Sequence, residues 1–283
     1  MTHLDNTGRP DDSNSADNRL RFPIIDFLRG FALLNMIVYH ILWDFVNIAP
    51  AHTLHLAGFM NSIVGILWQQ AIGFTFLFIA GFCFSLGSQP VRKGIILILW
   101  SVAISAVTLF VIPKNPVIFG VLTLIGTGML VLDYINARTV NFRTLIDIRP
   151  WHSESLKCGA WAVISLIGFA LFYSIPKGYF LGLKLPQWLY PNIITAYVGL
   201  PPSNFISSDY YPVVPYIFVM IAGYFTYWSI HKNKKILKFL SQSPSFVGAR
   251  FAQWMGRHSL IIYLLHQIVI FVPILLLATA LFR

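Results

Sequence analysis

Charge is scarce in this sequence. Asp, Glu, Lys and Arg make up only 11% of its 283 residues, less than half of the ~25% with which an ordinary soluble domain covers its surface, so a water-soluble globule is excluded. Acids are scarcer than bases, ten against twenty, which leaves a formal charge of +10. The bases sit in connections between apolar stretches, where they orient the chain and meet anionic lipid head groups. That placement argues against nucleic-acid binding. Cysteine is nearly missing. Cys83 and Cys158 lie far apart in apolar surroundings, so neither a disulfide framework nor a cysteine metal site can be built. The eight histidines form no HxxxH beside a carboxylate, and no metal is expected. GxSxG, Walker A and GxGxxG patterns are also missing, which removes serine-hydrolase, P-loop and dinucleotide chemistry.

What is abundant is apolar length. The chain is 57% hydrophobic and 16% aromatic, with seven apolar segments near 22–46, 61–87, 94–112, 116–135, 158–175, 211–230 and 256–281. Each approaches the roughly 20 residues a helix needs to span. They lack the alternation of a membrane barrel, and an open sheet would leave its backbone unsatisfied in lipid. The fold expected is therefore an all-α polytopic membrane bundle of about seven transmembrane helices. Asn192–Leu200, closed off by Pro191 and Pro201, is too short to span and is expected to be re-entrant or interfacial.

Orientation follows from the bases. With the N-terminus inside, fifteen face the cytoplasm: Arg9, Arg19, Arg21, Arg92, Lys93, Arg138, Arg143, Arg149, Lys157, Lys232, Lys234, Lys235, Lys238, Arg250 and Arg257. Four face out, namely Lys114, Lys177, Lys184 and Arg283, with Arg29 left inside the first span. That bias fits the positive-inside rule. The first 20 residues lack the plan of a cleavable signal peptide and are expected to form a disordered cytoplasmic tail ahead of a single domain over 21–283. No internal repeat is visible, which counts against a repeat-built transporter.

An ionisable side chain in a span costs about 2.5–3.5 kcal/mol on insertion scales, so it marks a site facing the bundle interior by default. Asp26, Arg29, Leu33, Met36, His40 and Asp44 follow steps of three and four and share one stripe. Asp26 and Arg29 can pair near the inner end, or simply anchor the helix there. His40 and Asp44 can hydrogen-bond near the outer end, an arrangement that fixes the tautomer of a general base. The bland alternative for His40 is a bond to a neighbouring helix. At about 1.5 Å rise per residue, Arg29 and His40 stand roughly 16 Å apart. GRHSLIIYLLHQ (256–267) sets Gly256, Ser259, Tyr263 and His266 on a second stripe. There Gly256 and Ser259 suit close packing, whereas His266 and Gln267 need another helix or a cavity. SSDYYPVVPY (207–216) puts Asp209 at the outer end, as a substrate contact or as a cap for the sixth span.

Taken in order, Asp26–Asp44, GFTFLFIAGFCFSLG (73–87), IFGVLTLIG (118–126), SSDYYPVVPY and GRHSLIIYLLHQ resemble the bacterial heparan-α-glucosaminide N-acetyltransferase-like membrane proteins, within the transmembrane acyltransferase superfamily. The resemblance covers nearly all of the chain after residue 20. It implies a bacterial cytoplasmic-membrane enzyme that moves an acetyl group from cytosolic acetyl-CoA to a sugar amine or hydroxyl on the far side. On that resemblance His40, Asp44, Asp209 and His266 are the catalytic candidates. Arg29, Arg257, His258 and Tyr263 are the coenzyme-binding candidates, with Arg92 and Lys93 as further basic groups. The related membrane sugar O-acyltransferases carry Arg-Gly followed by an essential histidine, matched here by Arg29, Gly30 and His40. The lysosomal enzyme has asparagine at the position of His40 and its active histidine later, which keeps His52 and His55 open as alternatives. The partners implied are the lipid bilayer, a small-molecule or glycan acceptor and a homo-oligomeric copy. The residues alone also fit a transporter for a small polar or anionic metabolite with a His/Asp proton relay, or a structural membrane subunit.

Overall fold

The computed structural model describes residues 21–48, 53–146 and 155–281. The N-terminal tail and His52 lie outside the described residues. Among these residues the chain is built from eleven α-helices: α1 (Pro23–Ile48), α2 (Leu54–Met60), α3 (Ile63–Phe84), α4 (Pro90–Val111), α5 (Val121–Ile146), α6 (Ser155–Phe172), α7 (Ile193–Val198), α8 (Val213–Ile230), α9 (Lys234–Leu240), α10 (Ala249–Arg257) and α11 (Ser259–Leu281). Two 3₁₀ turns, Ile175–Lys177 and Gln187–Leu189, and a hairpin of two-residue strands, β1 (Tyr179–Phe180) with β2 (Leu183–Lys184), complete the described elements. Five helices, α1, α3, α4, α6 and α8, are long and apolar enough to cross a membrane, while the apolar part of α5, Val121–Ala137, is shorter. With the 23-residue α11, each of the seven apolar segments has its helix.

Local chemistry sets the helix ends. Proline opens α1 and α4, where its missing N–H costs nothing. The Ser62 hydroxyl accepts from the Gly65 amide at the start of α3. Asn192 and Thr195 close a capping box that makes α7 a self-contained turn, consistent with an interfacial helix rather than a span. The last apolar segment is broken: α10 ends at Arg257 and α11 begins at Ser259, with His258 between them at φ −102°, ψ 22°. The stripe expected to run continuously from Gly256 to His266 is therefore split between two helices.

α3 sits centrally, packed on α1, α5 and α8; α6 covers α8, α4 covers α5, and α10 and α11 close on α1. Outward faces carry Val64, Leu67, Leu99, Phe110, Val163 and Ile167, all exposed. In lipid such faces are ordinary, and cohesion must come from close packing between small residues. Two crossings show it. A Cβ at Gly30 would stand 1.7 Å from the Ala252 carbonyl oxygen, and one at Gly256 1.9 Å from that of Asp26. A Cβ at Gly81 would stand 1.8 Å from the Met220 oxygen, and one at Gly223 2.0 Å from that of Phe78.

Two helices begin inside the bundle rather than at its outer face. Ser101 of α4 meets Thr123 at the start of α5 (Oγ···Oγ1 2.5 Å), yet α4 continues ten residues further, about 15 Å. Likewise Tyr211, just ahead of α8, packs against Gly73, ten residues or about 15 Å below the outer end of α3. The connections 112–120 and 199–212 thus dip into the bundle together. Ser207 and Ser208 hold them to each other through Ile118, Asn115 and Pro116. Irregular backbone at this depth is tolerated because protein surrounds it and side chains satisfy its amides.

Candidate functional site

At the inner end, α1, α3 and α10 meet around one guanidinium. Arg29 donates to the Gly256 carbonyl (3.4 Å) and to Cys83 Sγ (3.2 Å), and pairs with Asp26 at 3.5 Å. Arg257 approaches the same carboxylate at 3.8 Å. These groups edge a cavity of about 700 Å³ whose mouth also carries Arg21 and Lys93. Deeper in, the lining turns apolar, with Phe76, Ile96, Leu97, Ile125 and Met129, and the cavity reaches Val121 and Tyr263.

Tyr263 ties this cavity to the dipping loops. Its hydroxyl donates to Asp209 Oδ2 at 3.3 Å, and the same oxygen accepts the Val121 amide at 3.3 Å. Asp209 therefore caps α5, a helix distant in sequence, and not the span it precedes. It lies at mid-bundle depth, which corrects its expected place at the outer end. The positive end of α5 offsets its charge there. A Cβ at Gly120 would stand 2.6 Å from Asp209 Oδ2, so only glycine leaves room for this cap.

One ring further out lie the histidines. The Tyr263 and His266 rings are 5.5 Å apart, and His266 and His40 are 4.9 Å apart. His266 Nδ1 meets the Tyr263 carbonyl at 2.5 Å, while its buried Nε2 has no hydrogen-bond partner among the described residues. Asp44 is fully buried and is held by Gln267, whose amide nitrogen donates to both carboxylate oxygens at 3.0 and 3.1 Å. The expected His40–Asp44 bond is replaced by this pair between α1 and α11. An amide and a carboxylate can satisfy each other across two helices, whereas residues four apart on one helix need favourable rotamers to meet.

On the outer side a second cavity, about 1150 Å³, opens between the upper part of α3 and the connection from α6 to α8. Its floor carries Gln70, Tyr210 and Tyr216, with the Tyr216 hydroxyl donating to Gln70 Oε1 at 3.2 Å. Burial pushes the Tyr190 phenol above its ordinary range, and its hydroxyl donates to the Ile175 carbonyl at 2.8 Å. Tyr211 stacks edge-on against Tyr216 at 5.0 Å, so Tyr211, Asp209 and Tyr263 form the partition between the two cavities.

The chain belongs to the heparan-alpha-glucosaminide N-acetyltransferase catalytic family. The family match takes in residues 21–148 and 153–268, which includes every residue of the partition and both cavity mouths. No curated protein and no solved structure matches the chain. As a member of this acetyltransferase family, the chain is an integral membrane protein of the acyltransferase kind.

Within this family member, the predicted residues fall into three groups. His40, Asp44 and His266 come together on α1 and α11; Tyr263 joins them from the inner cavity, with Asp209 bonded behind it. Arg29 and Arg257 stand at the inner mouth, but Arg29 is committed to backbone and thiol contacts. His258 lies outside the cavity lining, exposed, with Nδ1 on the Trp254 carbonyl at 2.9 Å. Arg92 is likewise exposed and bonded to Gln89, whereas Lys93 lines the cavity. His55 is exposed on α2. Sequence reasoning missed Gln267 as the partner of Asp44, although a glutamine deep in an apolar helix was itself the signal. It gave Cys83 no place in the site and missed Tyr211, because a tyrosine is not unusual in an apolar run. Among the described residues no group of histidines, cysteines and carboxylates could hold a metal.

Proposed function

We propose that the chain transfers an acetyl group from cytosolic acetyl-CoA to an amine or hydroxyl of a sugar on the extracytoplasmic side of a bacterial cytoplasmic membrane. The observation that carries this reading is the inner cavity: a basic mouth, an apolar throat, and an end at Tyr263, one ring from the His40–His266 pair. Its volume of about 700 Å³ lies within the usual ~300–1,000 Å³ of small-molecule sites. The residues suit this donor. Arg21, Lys93 and Arg257 offer charge-assisted bonds to phosphates, and Phe76, Leu97 and Ile125 suit a thin, largely apolar arm. The roughly 16 Å from Arg29 to His40 gives that arm its length.

Bound donor would supply an activated thioester. Arg29 acts as a positioning residue, fixing α1 against α10 so that the mouth keeps its shape. Asp44 and Gln267 lock α1 to α11 and so set the distance between the two imidazoles. His40 takes the proton of the attacking amine or hydroxyl, or first accepts the acetyl group itself. In either course the C–S bond breaks, a C–N or C–O bond forms, and the acceptor proton ends on the coenzyme thiolate. Asp209 and Tyr263 form a hydrogen-bonded stop at the end of the throat, which keeps bulk water from the thioester and must part for the acceptor to reach it.

The test is turnover of acetyl-CoA by purified protein with a glucosamine-terminated acceptor. His40→Ala lowers the rate by roughly 10²–10⁴-fold, the usual worth of a positioned acid–base group. Full activity in that variant would remove His40 from the mechanism.

A further inference from the structure

The inner cavity has helical walls on three sides. α1 with α11 forms one, α5 with α4 the opposite one, and α3 stands behind, packed on both α1 and α5. The fourth side faces the membrane. Among the described residues the close helix neighbours of α11 are α1 and α10, and that of α4 is α5, so no helix packs closely across the front from α4 to α11. The two walls join at the deep end, where the Tyr263 hydroxyl and the Val121 amide share Asp209. Below that join, Ile96 of α4 and Leu260 of α11 line the cavity from opposite walls and remain exposed, at 37% and 36%.

The depth of this cleft is that of one leaflet. On α3 its lining runs from Gly87 up to Phe76, eleven residues or about 16 Å, against about 15 Å for half of a bilayer's hydrocarbon core. The head-group level is marked separately. Phe251 and Trp254 of α10 stack at 6.0 Å and are both exposed, as aromatic residues are at a membrane interface, and Arg257 follows Trp254 by one turn. Lys93 reaches the same end of the cleft, since its Nζ lies 3.4 Å from where a Cβ at Gly87 would stand. Four bases, Arg21, Arg29, Lys93 and Arg257, face a single acid, Asp26, among the lining residues.

A soluble acetyl donor accounts for the basic mouth but not for an opening toward lipid. An acyl chain under an anionic head, upright as the lipids of that leaflet are, accounts for both. We infer that the cleft admits an anionic phospholipid of the inner leaflet from the side, its phosphate held by Lys93 and Arg257 and a tail laid against Ile96, Ile125 and Leu260, and that this lipid competes with the acetyl donor for the same space. The competition rests on the donor reading above, whereas lipid occupancy is measured without any donor. Head-group charge makes the selection. A tail gains no hydrophobic free energy on leaving lipid as apolar as the cleft, while a phosphate beside several bases gains charge-assisted hydrogen bonds.

Cys83 lines the cleft beside Arg29 and reports on its occupancy, with the buried Cys158 as an internal reference. The rate of Cys83 alkylation by N-ethylmaleimide, an uncharged reagent, is followed by mass spectrometry on the detergent-solubilised full chain. The probes are dioctanoyl phosphatidylglycerol, dioctanoyl phosphatidylcholine, glycerol 3-phosphate and acetyl-CoA. Phosphatidylglycerol at about ten times its dissociation constant is expected to slow alkylation about tenfold by mass action, while phosphatidylcholine and glycerol 3-phosphate at equal concentration change it less than about twofold. In Lys93→Gln, at an exposed position, the advantage over phosphatidylcholine narrows about fivefold, the usual worth of one base beside an anionic lipid. Calorimetric titration with acetyl-CoA gives an apparent dissociation constant that rises in proportion to added phosphatidylglycerol. Equal protection by phosphatidylcholine would make the cleft a groove indifferent to head group, and equal protection by glycerol 3-phosphate a simple anion site. Either result overturns the inference, as would no protection by phosphatidylglycerol, an unchanged preference in Lys93→Gln, or acetyl-CoA binding indifferent to the lipid. Protection by phosphatidylglycerol in a chain that acetyl-CoA neither protects nor binds would count against the donor reading alone.

Discussion

Gly30→Ala puts the packing at the inner mouth to a direct test. The added Cβ would stand 1.7 Å from the Ala252 carbonyl oxygen, 2.6 Å from its carbon and 3.0 Å from the Gly256 nitrogen. A carbon needs about 3.3 Å from such an oxygen, so α1 and α10 must part by roughly 1.6 Å. No rotamer relieves the clash, because every atom met is backbone. Parting the helices also breaks the 3.4 Å bond from Arg29 to the Gly256 carbonyl. Overpacking costs about 1–3 kcal/mol and loss of a hydrogen bond from a charged group about 1.5–3 kcal/mol. At roughly 2–4 °C per kcal/mol for chains of somewhat smaller size, the melting point should fall on the order of 5–25 °C. Differential scanning fluorimetry in detergent reads this. Gly58→Ala in α2 is the control, since a Cβ there meets nothing within 4 Å; it should be neutral or slightly stabilising. The KM for acetyl-CoA should rise in Gly30→Ala alone, as Arg29 and Arg257 both line the displaced mouth. A melting point within about 1 °C of the parent, with KM unchanged, would refute the reasoning.

Two other perturbations address the two ends of the site. Lys93→Ala with Arg257→Ala should raise the acetyl-CoA KM while leaving kcat nearly unchanged, the signature of lost ground-state binding. Salt should weaken donor binding less in this variant than in the parent, and an unaltered KM would remove both residues from the donor site. Gln267→Leu leaves the buried Asp44 carboxylate without its two amide bonds and should cost about 1–3 kcal/mol or more. The double variant Asp44→Leu/Gln267→Leu should melt above Gln267→Leu, because removing both partners leaves no unsatisfied group. Melting of the double variant at the sum of the single losses would show that the two side chains act independently.

Much of the site was legible along the chain, though in pieces. Arg29, Gly30 and His40 stood out because polar and small residues are conspicuous within an apolar helix. Their partners on α10 and α11 were not legible, since Gly256, Ala252 and His266 lie more than two hundred positions away. Asp44 was expected to serve His40, its neighbour on the helix, but is taken by Gln267. Asp209 was placed by the boundary of the span it precedes. The dip of two loops is set by packing between them and leaves little mark on hydropathy. His258 and Arg257 are adjacent in sequence, yet the bend between α10 and α11 leaves only Arg257 on the cavity.

By itself the sequence determined that this chain is an all-α membrane bundle and where its apolar helices lie, and it set the expectation for their orientation. Those properties are sums over local composition: apolar length against hydrocarbon thickness, and counts of Lys and Arg in the connections. Only the tertiary structure decided where α5 and α8 begin, that Asp209, Tyr263 and Tyr211 separate an inner from an outer cavity, and that His40 faces His266. In lipid no hydrophobic pattern distinguishes the face of a helix that meets a partner from the face that meets acyl chains. Which helices touch is settled instead by backbone-to-backbone approach at glycines such as Gly30 and Gly256, and by buried polar groups finding one another across the bundle.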